Sequence, residues 1–200
     1  MRVLVIIAHA NPKSFNHAVL EAFTRGLKDG GHSFEVVDLY AIKFDPSLKL
    51  EEFPIVGIQT PKDVLEQQEK VAQADALALI YPIIWMNFPA ILKGWLERVF
   101  NYGFAYNLTE AGMLQGDLSG RIGMLEHKKA LLINTTAWSE ASYRETPGML
   151  DAMEKIMVEY ALKYPGISNV EHIFLYQVPT VSDETRKEYL ELAYRLGREF

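Results

Sequence analysis

Three short stretches of this chain carry side chains that could do chemistry, and each follows an apolar run. The first, AHANPKSFNHA over residues 8–18, sets His9, Ser14 and Asn16 where a helix should begin. Free backbone N–H groups and the positive end of the helix dipole suit a phosphate there, and Ser14 and Asn16 add side-chain donors. The same side chains would serve equally as a plain helix cap, and His9 as a satisfied histidine at a strand end. The second stretch, YPIIWMNFP over residues 81–89, crowds Ile83, Ile84, Trp85, Met86 and Phe88 between two prolines. Pro82 and Pro89 each fix φ and turn the preceding residue away from helix, so the aromatic groups are expected to be held out, as apolar walls for a flat ring. Core or subunit-contact packing of Trp85 and Phe88 is the competing reading. The third, Asn134-Thr135-Thr136 with Tyr143 nearby, offers hydroxyls and N–H groups to the edge of a heterocycle, although threonine is common in strands.

Composition narrows the chemistry. There is no cysteine, so disulfide and thiolate reactions are excluded and any redox role needs a borrowed cofactor. No metal site is read. Acidic residues outnumber basic ones 26 to 20 without a basic block, which argues against a nucleic-acid partner. Half-apolar composition without a linker suits a single domain over residues 1–200. The opening MRVLVII is too short for a signal peptide or membrane span, so a soluble, cytoplasmic protein is expected.

The elements that must hold these loops alternate in type. Residues 2–8 form an unbroken apolar run, as in a strand buried on both faces. A helix over 18–28 ends at Gly30-Gly31, and a second strand covers 34–39. The long connection 40–61 has no clear period and reads as a surface excursion. A helix over 63–74, a strand over 76–80 and a helix over 90–102 follow. In that last helix Ile91, Leu92, Trp95, Leu96, Val99 and Phe100 share one face, with Lys93, Glu97 and Arg98 on the other. Residues 107–128, rich in glycine, read as a loop or short hairpin. A strand over 129–134, a long helix over 147–163 with Met149, Leu150, Met153, Ile156, Met157 and Tyr160 on one face, a strand over 170–178 and a helix capped by Ser182 complete the chain.

Five strands separated by helices call for a doubly wound α/β parallel sheet, and without a GxGxxG after the first strand the flavodoxin-like order 2-1-3-4-5 is preferred, with helices on both faces. Its ligand crevice lies outside the C-terminal ends of the strands, where the three stretches fall.

Taken together, AHANPKSFN, DLYAIKFDP, YPIIWMNFPAILKGWLERVFNYGFAY and KKALLINTT resemble the flavodoxin-like NAD(P)H:quinone oxidoreductase family over nearly the whole chain. That family includes animal quinone reductases, bacterial modulators of drug activity and ancillary subunits of potassium-efflux systems. The resemblance implies a flavin, FAD or else FMN, with His9, Ser14, Phe15, Asn16 and Ala18 at its phosphate loop. Pro82, Ile83, Trp85 and Met86 then lie along the ring, Thr135 and Thr136 hydrogen-bond it, and Tyr143 stands near its carbonyl edge as the catalytic residue. Phe88, Tyr106 and Trp138 fall to the substrate pocket. It implies NADPH or NADH as hydride donor, a quinone or similar small electrophile as acceptor, and a twofold homodimer. FAD is preferred because the first loop follows the FAD-binding members.

Two positions depart from the pattern. Ala137-Trp138 replaces a pair of glycines, and Met149 stands where the animal enzymes have a histidine that shares proton work with the tyrosine. Tyr143 then remains to donate a hydrogen bond, with solvent or Arg144 supplying the rest. A flavin-binding regulatory subunit of a potassium-efflux system, which would engage a membrane transporter, and an azo- or nitro-compound reductase are the alternatives.

Overall fold

The computed structural model describes residues 1–53, 57, 59–116 and 118–200. Along it run β1 (Arg2–Ile7), α1 (Phe15–Asp29), β2 (Ser33–Asp38), α2 (Lys62–Gln73), β3 (Ala76–Pro82), α3 (Ala90–Val99), β4 (Tyr106–Leu108), α4 (Glu110–Gln115) and β5 (Arg121–Gly123). Then come β6 (Lys129–Thr135), α5 (Glu140–Glu145), α6 (Met149–Glu154), β7 (Val170–Leu175) and α7 (Asp183–Arg198). Five strands make one parallel sheet in the order β2-β1-β3-β6-β7, the expected topology.

β1 sits inside that sheet because both of its faces are apolar. Val3, Val5 and Ile7 join the core under α1 and α7, while Leu4, Ile6 and Ala8 join the core under α2, α3 and α6, as side chains alternating across a strand must. On the first side α1 and α7 touch through glycine. A Cβ at Gly26 would lie 2.0 Å from the Tyr194 carbonyl oxygen and one at Gly197 2.1 Å from that of Phe23, so any larger residue would drive the helices apart. β4 and β5 form a small antiparallel hairpin flanking α4, in line with the glycine-rich reading of that segment.

Four expectations are corrected. The helix over 147–163 starts at Met149 and passes at Lys155–Lys163 into π-helix, whose wider turn breaks the 3.6-residue period. Met153 and Met157 stay buried while Ile156 and Tyr160 swing out to solvent. The short helix α5, capped by the Ser139 side chain, was not expected at all. Phe88 is not held out with its neighbours but is buried with its ring 5.0 Å from that of Tyr81.

Arg98 is the fourth. It turns inward, 2% exposed, because acceptors from the connection after β2 meet it there. Its Nε donates to both carboxylate oxygens of Glu52, its Nη1 to the Asp45 carbonyl and to Asp63, and its guanidinium lies 5.2 Å over the ring of Phe44. That connection is a surface excursion, as expected, anchored at Phe44 and Glu52, both buried; its residues 54–56 and 58 lie outside the described ones.

Candidate functional site

The C-terminal ends of β1, β3 and β6 bring the three loops to one edge, and backbone bonds fix them there. Ala8 N–H donates to the Ile80 carbonyl and Ile83 N–H to that of Thr135. Side chains then bridge the first and third loops, since the Thr135 hydroxyl donates to Asn16 Oδ1 at 2.9 Å.

At the head of α1, Ser14 is the N-cap, its hydroxyl accepting from His17 N–H. Phe15 packs sideways, edge-on to Tyr189 at 6.5 Å, so only its backbone faces the loop's chemistry. Ala18 is half-buried behind the turn. Asn16 is 2% exposed, and its Nδ2 has no hydrogen-bond partner. A buried amide left open costs about 1–3 kcal/mol unless something else fills it, which a ligand at this helix start would do. His9 accepts from Asn11 N–H at 3.0 Å, and burial, then the neighbouring His17, hold its imidazole below the usual histidine range.

The second loop turns on Trp85 and Met86. Ile84 and Asn87 exchange both backbone hydrogen bonds at 3.0 Å, and the two residues between them have φ of 50° and 60°. A two-residue turn with both centres left-handed ordinarily uses Asn or Gly. Here it carries two large apolar groups at a cost on the order of 1 kcal/mol each. Trp85 ends 96% exposed, and Pro82 and Ile83 lie half-buried at its foot.

On the third loop Thr136 is buried. Its oxygen accepts from Trp138 N–H and lies 2.6 Å from the hydroxyl of Tyr143, itself buried. One hydrogen of the two hydroxyls closes that contact and the other is left to give. Trp138 and Tyr143 line a cavity of about 150 Å³ with Met86, Ser142, Thr146 and Met149. Phe88 and Tyr106 fall elsewhere, on a separate groove of about 430 Å³ with Leu96, Phe100, Tyr160 and Tyr164. The three residues expected to share one substrate pocket are thus divided. Arg144 lines a neighbouring hollow of about 170 Å³ with Tyr143 and Met149, but its guanidinium is exposed and tied to Glu140.

Two residues escaped the sequence reading. His17 stands between Ser14, with Nδ1 to Oγ 3.0 Å, and Asp38, with Nε2 to Oδ2 3.3 Å. Both letters are in the quoted motifs, yet their contact depends on the end of β2 lying beside the head of α1.

The profile of a family described as having a flavodoxin-like fold matches residues 1–196. An NAD(P)H oxidoreductase of Haemophilus influenzae, not characterised further, is 34% identical over 196 residues, covering 96% of this chain and 92% of its own. The solved NAD(P)H:quinone oxidoreductase of Methanothermobacter marburgensis superposes with a TM-score of 0.88 at 36% identity, over 99% of this chain and 98% of its own. The chain belongs to the flavodoxin-like NAD(P)H:quinone oxidoreductase family. A third member, NAD(P)H dehydrogenase [quinone] 1 of Cavia porcellus, is 38% identical over 160 residues, which are 71% of this chain and 55% of that enzyme. The match thus spans about half of the guinea-pig enzyme but nearly all of the two microbial proteins.

Among the described residues no helix is long and apolar enough to cross a membrane, and no group of three or more His, Asp or Glu could hold a metal ion.

Proposed function

We propose that this chain is a flavin-dependent NAD(P)H:quinone oxidoreductase whose single site serves the nicotinamide and the quinone in turn. The observation that carries this reading is Asn16. Its amide nitrogen is buried and open at the head of a fifteen-residue helix, in a family whose named members oxidise NAD(P)H. The residues present fit a flavin, with a helix start for its phosphate, an apolar turn for one face of its ring and hydroxyls at the other loop. FAD is the form we favour, on the first-loop residues. When bound, the flavin supplies the redox chemistry, accepting a hydride from NADPH or NADH and giving two electrons to a quinone.

The chain's own part is position and protons. His9, Ser14, Asn16 and the N–H groups of Phe15 and Asn16 hold the phosphate end, with Ala18 packed behind them, its own N–H spent on the Ser14 carbonyl. Asn16 points its amide because Thr135 fixes the other side of it, so Thr135 acts on the ring only through Asn16 or its backbone. Pro82, Ile83, Trp85 and Met86 wall the ring. Tyr143 and Thr136 together offer one O–H to developing negative charge, a contribution worth roughly tenfold to a hundredfold in rate when the site excludes water. A hydride brings only one of the two protons that a hydroquinone needs. Met149 cannot give the second, and Arg144 cannot either, since a guanidinium does not release its proton at neutral pH. Solvent supplies it.

A twofold homodimer fits this reading. Ile84, Trp85, Met86 and Trp138 leave a cluster of exposed apolar side chains beside the site, which a second copy would cover. Light scattering at micromolar concentration should give twice the chain mass. We place the enzyme in the cytoplasm.

The direct test is anaerobic. Addition of NADPH or NADH to the flavin-loaded protein should bleach the yellow band, and menadione should restore it. A bound flavin that neither nucleotide bleaches would overturn the enzymatic reading.

A further inference from the structure

Beyond the residues assigned above, the first loop contains a serine, a histidine and an aspartate in line. Ser14 Oγ is 3.0 Å from His17 Nδ1, and His17 Nε2 is 3.3 Å from Asp38 Oδ2. The other oxygen of Asp38 accepts from the backbone N–H groups of Tyr40 and Ala41, so the carboxylate is fixed in place. A carboxylate only accepts, so Nε2 carries a hydrogen. In a neutral imidazole Nδ1 is then a bare lone pair, and the Ser14 hydroxyl must spend its hydrogen on it.

That arrangement is poor for an anion. Ser14 already accepts the capping bond from His17 N–H. With its hydrogen given to Nδ1 it turns only a lone pair toward the loop. Protonation of His17 reverses this. Nδ1 then donates to Ser14 Oγ, the serine hydrogen is released toward the loop, and a positive charge backed by Asp38 appears beside the helix start. A cap alone requires none of this, since the serine oxygen makes the capping bond in either state.

We infer that His17 is a proton-linked anchor for the cofactor phosphate: binding a flavin at the first loop takes up one solvent proton on His17 and frees the Ser14 hydroxyl to donate to the phosphate. The inference rests on the flavin reading of that loop and adds a residue and a pH dependence to it. The titratable groups facing His17 are Asp38 from the end of β2, which favours the charged imidazole, and His9 from the end of β1. The His9 ring stands edge-on at 6.4 Å and would oppose a second charge.

FAD affinity measured by flavin fluorescence quenching between pH 6 and 8.5 tests this. FAD is the probe because its pyrophosphate keeps its charge across that range, whereas the phosphomonoester of FMN titrates within it. Linkage of one proton gives a Kd that rises toward about tenfold per pH unit on the alkaline side. His17→Phe should bind FAD weakly and without that slope, and His9→Gln should keep it. Asp38→Asn, which leaves the imidazole but weakens its charged form, should move the onset of the slope to lower pH. A wild-type Kd flat from pH 6 to 8.5, or a slope that survives His17→Phe or vanishes in His9→Gln, overturns the inference while leaving the flavin site standing. Wild-type protein that binds no FAD at any pH overturns the flavin reading itself.

Discussion

Two buried polar clusters in this molecule follow opposite rules. Around Arg98, Glu52 meets the guanidinium edge on, Asp63 and the Asp45 carbonyl take its outer nitrogens, and Lys49 N–H fills the remaining demand of Glu52. No buried side-chain nitrogen or oxygen there lacks a partner among the described residues. Around Asn16, one side of the amide is pinned by Thr135 and the other is open, and the Tyr143–Thr136 pair has a hydrogen left over. A closed cluster holds a connection in place, whereas an open one, at the C-terminal edge of a parallel sheet, waits for something that is not protein.

Breaking the closed cluster should have the largest effect. Glu52→Ala strands a buried cation and should lower the unfolding free energy in denaturant melts by about 3–5 kcal/mol, softened by the partner that remains in Asp63, with FAD affinity of the folded protein unchanged. Opening the other cluster further should do the reverse. Asn16→Ala should cost the flavin-free protein no more than about 1 kcal/mol, yet weaken FAD binding by roughly ten- to a hundredfold, the value of a hydrogen bond to a charged group. Equal losses of stability in the two variants would erase the contrast.

Tyr143→Phe sharpens the comparison inside the open cluster. Stopped-flow rates of hydride transfer should fall about tenfold, about 1.4 kcal/mol of barrier, with FAD affinity little changed. An unchanged rate would remove Tyr143 from the chemistry.

The smallest effect concerns two histidines outside both clusters. Burial holds the imidazoles of His127 and His172 below the usual range. The unfolded chain therefore takes up protons first as the pH drops. Stability should be full above about pH 6.5 and decline below it toward the folded values, by up to about 1 kcal/mol per group over the first unit. His172→Gln should flatten that decline in melts run at pH 7 and 5.5.

What the sequence made legible followed from local pattern. β1 reads as central because an apolar run needs cover on both faces, and the three loops read as a site because each breaks such a run with unusual residues. What stayed hidden depends on contacts remote in the chain. Arg98 reads as surface until Glu52 comes back across 46 positions to meet it, and Asn16 reads as a phosphate donor or a cap with nothing to show that Thr135, 119 positions away, fixes one side of its amide. The π-helical turn at Lys155–Lys163 is invisible to a 3.6-residue period, so the exposure of Tyr160 could not be read. Phe88 was misjudged because the tight turn at Trp85–Met86 reverses the chain and sends the next aromatic group inward.

The most direct measurement is an FAD titration of the purified flavin-free protein, followed by anaerobic NADPH in the same cuvette. One FAD per chain with a Kd in the micromolar range or below, bleached by the nucleotide and recoloured by menadione, is the expected result. Protein that takes up neither FAD nor FMN would contradict the open cluster at Asn16 as a flavin site.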